Sequence, residues 1–192
     1  MKTSKSIIFT LLFTIMLASC NMDKYPYDKI PLESAIESFA DCQKLRTGMY
    51  RDLRIIAVST NVLAAEIQAD GFLPLSYFGN QLGALYRWEA NASESTFSTI
   101  WSNSYVTIAQ CNLLIEGIKR LQTEGKFSDS ELPTVKNYLG EAHLIRAIAY
   151  SILVDKFCAT YDPATAENFY GVPIVDEYSP VSYTHLTLPT IA

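Results

Sequence analysis

The strongest constraint in this chain of 192 residues is a helical stripe near its C-terminal end. Leu132, Val135, Leu139, Ala142, Arg146, Ala149 and Leu153 fall on one face of a helix that the spacing carries to about Phe157. A stripe of that width has to be covered, and other helices are the natural cover. Ser128-Asp129-Ser130-Glu131, a capping box, precedes it.

Two further segments repeat the pattern. Ser38-Phe39-Ala40-Asp41 has the form of a capping box with Asp in place of the commoner Glu. Cys42, Leu45, Met49, Leu53 and Ile56 then recur at three- and four-residue intervals, with Gly48 a slight weakness. Phe97, Ile100, Trp101, Tyr105, Ile108, Cys111, Asn112 and Ile115 make another stripe. It ends between residues 117 and 125, where Lys119 and Arg120 suit the helix dipole. A shorter helix is expected over 61–69, with Val62, Ala65 and Ala69 on one side, stopping at Asp70-Gly71. Residues 71–95 differ in texture, with Gly71, Pro74, Gly79, Asn80 and Gly83 among aromatics, and read as a loop with a short strand over 85–89. Residues 161–170 read as a loop and 170–175 as a turn into an extended segment. The expectation is a mostly α fold with little strand. The last two helices resemble one pair of a tetratricopeptide array, with small residues such as Ala142 and Ala149 allowing close packing.

Composition agrees with a chain that buries a core. Hydrophobic residues make up 49% and charged residues 18%, which excludes a disordered chain. Aromatics reach 12%, a load that suits a core or a surface that stacks on sugar rings. The formal charge is −5 and becomes −7 once Lys2 and Lys5 are removed, so there is no electrostatic footprint for nucleic acid.

Lys2 and Lys5, an apolar run over 7–17, and small Ala18 and Ser19 make residues 1–19 a secretory signal. Leu17-Ala18-Ser19-Cys20 resembles a bacterial lipobox, which implies cleavage before Cys20 and lipidation of that cysteine. At about 0.8 kcal/mol per buried methylene, several acyl chains hold a protein to a membrane essentially permanently. Pro26 and Pro31 make 20–32 an extended, lipidated tether. Cys42, Cys111 and Cys158 remain, an odd number that cannot all pair, and they are read as three buried thiols. No CxxC or Cys/His spacing points to a metal.

At the other end, residues 181–190 read VSYTHLTLPT. The alternation suits an edge strand. The string also looks like the translation of a transposon-type sequencing adapter, and 181–192 are therefore expected to be read-through, with the native frame cut near Pro180.

Three segments then carry a family resemblance. They are Ile100-Trp101-Ser102-Asn103-Ser104-Tyr105 continuing to Asn112-Leu113-Leu114-Ile115, Gly140-Glu141-Ala142-His143-Leu144-Ile145-Arg146-Ala147-Ile148-Ala149-Tyr150, and Tyr170-Gly171-Val172-Pro173-Ile174-Val175. In order and spacing they resemble the N-terminal part of the SusD/RagB family of outer-membrane nutrient-binding lipoproteins. Ile148 stands where an aromatic is common, and Cys158 stands near a position often held by Gly. The resemblance covers about 17–180, with 33–180 as the front part of a truncated SusD-like helical domain. It implies a cell-surface protein, lipid-anchored in the outer membrane, that binds oligosaccharide or another nutrient and delivers it to a TonB-dependent (SusC-like) transporter. It implies no cofactor and no enzymatic activity.

Candidate ligand residues sit in the loop: Tyr77, Phe78, Asn80, Gln81, Tyr86 and Trp88. Aromatic rings can take the apolar faces of sugars, while Asn and Gln offer donors and acceptors to their edges. The competing reading is that these aromatics pack the loop onto the helices, in a structural or adhesive lipoprotein without glycan binding. Catalytic residues are not expected. Glu66 and Asp70 lie four apart on one expected helix face, whereas glycoside hydrolysis needs carboxylates about 5 to 9.5 Å apart on either side of a substrate. His143 is assigned to helix packing or a partner hydrogen bond, and Trp101 and Tyr105 to the core. Glu141 and Arg146 are assigned to ion pairs with neighbouring helices.

Overall fold

A computed structural model describes residues 35–58, 60–75, 82–89 and 95–178. The signal and Cys20 tether, the tail from 179 onward, and Tyr77, Phe78, Asn80 and Gln81 lie outside the described residues. The elements in order are α1 (Phe39–Val58), α2 (Thr60–Gln68), α3 (Gly83–Tyr86), α4 (Ser95–Thr123) and α5 (Leu132–Phe157), then a 3-10 turn at Ala166–Asn168. The described residues contain no strand, in keeping with the mostly α expectation. Among them no helix is long and apolar enough to cross a membrane.

α4 is the central helix, with fourteen of its 29 residues buried against six of 26 in α5. That is why it tolerates so many β-branched residues, since packing on several sides outweighs their weak helix preference. α4 and α5 run antiparallel. Trp101 meets Phe157 edge-on at 5.0 Å, Asn112 meets Arg146, and Leu121 shares a cluster with Val135. α1 lies over both. Its Met49 and Cys42 join Cys111, Leu114, Ile118 and Ile145 in the larger core, and its Ile56 joins Trp101, Tyr105, Ile108 and Leu153 further along. Fully burying one such large side chain stabilises by roughly 1.5–3 kcal/mol. Gly117 is required where α4 passes Ile36, because a Cβ there would collide with the Ile36 side chain.

Polar contacts lock the same packing. Arg46 of α1 grips Glu141 of α5 with Nε and Nη2, the latter at 2.9 Å, and its guanidinium lies 5.0 Å from the Tyr50 ring and 5.1 Å from the Tyr138 ring. The expected ion pair of Glu141 with a neighbouring helix is therefore formed. At the start of α1, Ser38 Oγ accepts the Asp41 N–H at 3.4 Å and donates to the Asp41 carboxylate at 2.7 Å. Glu131 in turn takes the Ser128 N–H and hydroxyl, both at 2.8 Å, in the turn that precedes α5.

Several expectations need correction. The strand expected over 85–89 is instead the single helical turn α3 and its cap. On α2 the buried residues are Ala64 and Ile67, which pack with Leu85 and Ile100; Val62 is exposed, and Ala65 and Ala69 are not core residues. In so short a helix several faces are apolar, and docking rather than periodicity selects one. Cys42 and Cys111 are buried but Cys158 is only partly so, because it lies just past the end of α5. Glu66 and Asp70 do not share a helix face, since Asp70 has φ 60° and lies beyond the end of α2.

Asp70 belongs to one of three left-handed helix caps. In each, the N–H after the left-handed residue reaches back five residues: Gly71 to the Glu66 carbonyl, Glu89 to that of Ala84, and Lys126 to that of Leu121. The left-handed residues of these three C-terminal caps are Asp70, Trp88 and Gly125, and Leu82 is left-handed at the start of α3. Glycine is the ordinary occupant, so tryptophan in this conformation is a strained choice.

Candidate functional site

Two features outside the bundle core offer ligand chemistry. The first is what the structure describes of the aromatic loop. The cap that ends α3 projects Trp88 outward, 72% exposed. Tyr86, two residues earlier, is half-buried and packs against the cluster of Ala64, Ile67, Leu85 and Ile100. Trp88 thus presents an open ring, while Tyr86 has one side against this cluster. The strain of a left-handed tryptophan with little contact behind it is the kind of cost that persists at functional positions.

The second feature comes from residues 171–178, an extended strap laid across α4 and α5. The strap pairs with side chains, not with another strand. Tyr105 Oη donates to the Pro173 carbonyl at 2.8 Å. Tyr150 Oη accepts the Val175 N–H at 2.7 Å and donates to the Val175 carbonyl at 2.9 Å. Asn112, wholly buried, donates through Nδ2 to the carbonyls of Val175 at 3.0 Å and Glu177 at 3.3 Å. Its Oδ1 accepts from Arg146 Nη1 at 2.8 Å, and the Tyr178 N–H is held by Glu116. Val172 and Val175 pack on the core beneath. These bonds satisfy main-chain groups that a lone extended segment would otherwise leave without partners.

The clamp explains why the three sequence segments singled out above belong together. Tyr105 and Asn112 come from the first, Arg146 and Tyr150 from the second, and Pro173 and Val175 from the third. Burial raises the Tyr105 and Tyr150 hydroxyls above the ordinary tyrosine range, so both keep their protons and can donate.

Between the strap, α4 and α5 lies a cleft of about 540 Å³. Glu116 and Lys119 reach it from α4, His143 and Arg146 from α5, and Asp176 and Glu177 from the strap; Ile115 and Tyr178 complete its lining. Arg146 Nη2 is 3.3 Å from His143 Nδ1, the hydrogen-bond role expected of His143. Burial, then Arg146 and Lys119, hold the His143 imidazole below its ordinary value, so it is neutral at pH 7. From the sequence Lys119 suits the helix dipole and Arg146 a helix face and an ion pair with a neighbouring helix; the partners found for Arg146 are instead the neutral Asn112 and His143. The signal for the cleft was present only in part, as Ile115, Glu116 and Lys119 on one helical edge and His143 and Arg146 three apart on another. Their convergence depends on the pairing of α4 with α5.

Among the described residues no group of His, Cys, Asp and Glu side chains is arranged to hold a metal ion. Burial raises the Cys42 thiol to about 11 and the Cys111 thiol to about 12, so neither is a ready nucleophile.

Residues 22–188 match the SusD-like family model described as starch-binding, associating with outer membrane. No curated protein and no solved structure matches the chain.

Proposed function

We propose, because this chain belongs to the SusD-like family, that it is a capture protein, lipidated at Cys20 and anchored in the outer membrane. There it holds an oligosaccharide or similar nutrient and passes it to a SusC-like, TonB-dependent transporter. It binds without breaking bonds. The single observation that carries this reading is the family match over residues 22–188. Two features of the chain support it. The residues that resemble the family in sequence meet around one strap, and next to it lies a cleft of a size usual for small-ligand sites, which run to about 300–1,000 Å³. Trp88, with its ring open to solvent, is the described loop residue suited to stack on a sugar face. Tyr77, Phe78, Asn80 and Gln81 are proposed as its neighbours in ligand binding.

A purely structural or adhesive role is the second reading, favoured by the packing of Tyr86 into the core of α2 and α3. Calorimetric titration with a panel of oligosaccharides decides between them. Capture requires saturable binding that weakens at least tenfold in Trp88→Ala without loss of thermal stability. No binding to any oligosaccharide, with no transporter co-purifying from outer membranes, refutes it. Mass spectrometry of the mature N-terminus tests the anchor, with acyl chains expected on Cys20.

A further inference from the structure

The α4–α5 cleft carries chemistry that a site for neutral sugars does not require. The Arg146 guanidinium has five N–H donors; one serves Asn112 and one faces His143, so three are left over from these contacts. Lys119 adds an exposed ammonium to the same cleft. Burial first, then these two cations, favour the neutral form of His143, and beside the Glu116 carboxylate of α4 they are the cationic groups of the cleft lining. The strap wall is opposite in kind. Asp176 and Glu177 are exposed carboxylates, which only accept hydrogen bonds, while Glu116 accepts the Tyr178 N–H.

Ligand classes can be separated on these walls. A neutral hexose offers Arg146 and Lys119 only hydroxyls. A dianion such as phosphate satisfies the cations but is repelled by the carboxylates around it. A ring with one carboxylate and several hydroxyls satisfies both walls, because the carboxylate takes paired donors from the guanidinium and the hydroxyls donate to Asp176 and Glu177.

We propose that this cleft is a subsite for a uronic acid residue of an oligosaccharide, with its carboxylate on Arg146 and Lys119 and its ring hydroxyls on the strap carboxylates. Asn112 is the positioning residue, since one side chain holds both Arg146 and the strap carbonyls. The inference rests on the capture reading and adds its substrate class.

The test is calorimetry of the full chain with tri-galacturonic acid, its methyl ester, maltotriose and inorganic phosphate. The acid is expected to bind at least tenfold more tightly than the ester. Lys119→Met should reduce that preference at least threefold and leave the melting temperature unchanged, because Lys119 is an exposed helix residue. The His143 imidazole resonance should move on addition of the acid and not of maltotriose. Equal affinity for acid and ester, or a preference left undiminished by Lys119→Met, overturns the proposal. So does phosphate binding more tightly than the acid. Maltotriose binding without tri-galacturonate binding overturns this inference while the capture function stands, and binding of neither sugar counts against both.

Discussion

Removing the Asn112 side-chain amide should loosen the strap and cost more than an ordinary buried polar substitution. Asn112→Leu keeps the volume and deletes three bonds: to Arg146 at 2.8 Å, to Val175 at 3.0 Å and to Glu177 at 3.3 Å. The bond from the charged guanidinium is worth about 2 kcal/mol and each neutral bond about 1 kcal/mol. The Val175 carbonyl keeps the Tyr150 hydroxyl, so the sum is reduced to about 3 kcal/mol. For a chain of this size that is a fall of about 6–12 °C in melting temperature. Thermal unfolding followed by far-ultraviolet circular dichroism measures it. Hydrogen exchange locates it, with faster exchange expected at the Val175 and Tyr178 amides while the middle of α4 stays protected. Tyr150→Phe, which removes both hydroxyl bonds to Val175, should cost about 1–2 kcal/mol. The double variant should lose less than the sum, because both side chains hold one segment. A shift below roughly 2 °C for Asn112→Leu, with strap exchange unchanged, would refute the idea that this amide holds the strap.

Four other outcomes follow from the geometry. Gly117→Ala should destabilise by about 1–3 kcal/mol, since its methyl meets Ile36, and a double variant with Ile36→Ala should lose less in a denaturant titration than the two single losses added together. Trp88→Gly should raise stability by about 1 kcal/mol by relieving the left-handed tryptophan, so a lower melting temperature would contradict the cap assignment. Hydrogen bonds from Ser38 and Lys44 lower the Asp41 carboxyl to about 2 from an unfolded value of 3.8. Its contribution is therefore present above pH 4 and lost as pH falls towards 2, and Asp41→Asn should flatten that part of the stability–pH curve. Alkylation at mild alkaline pH should modify partly exposed Cys158 well before buried Cys42 and Cys111, as peptide mapping would show.

Much of the architecture was legible in residue order. The three long helices announced themselves through apolar spacing, and the Trp101 and Tyr105 stripe is core as expected. The short elements were legible only in part: the helix expected over 61–69 is α2, but its buried face and the form of 85–89 were not read. Residues 85–89 alternate like a strand but form a helical turn and its cap, because Leu85 is buried against Ala64, Ile67 and Ile100. On α2 the spacing offered Val62, and docking chose Ala64 and Ile67. Local patterns that short carry too little energy to select their own conformation, so tertiary contacts select it.

By itself the sequence determined that long amphipathic helices must cover one another, because a stripe of apolar residues at helical spacing cannot remain in water. It also carried the family resemblance, as three segments in a fixed order. Only the tertiary structure decided what those segments are for. Asn112 and Arg146 are 34 positions apart, and Tyr150 and Val175 are 25 apart; they meet because α4 and α5 pack antiparallel with the strap across them. The cleft exists for the same reason. No local signal places Lys119, His143 and Asp176 around one volume, since hydrogen bonds and charges act across space and linear spacing does not record which faces will meet.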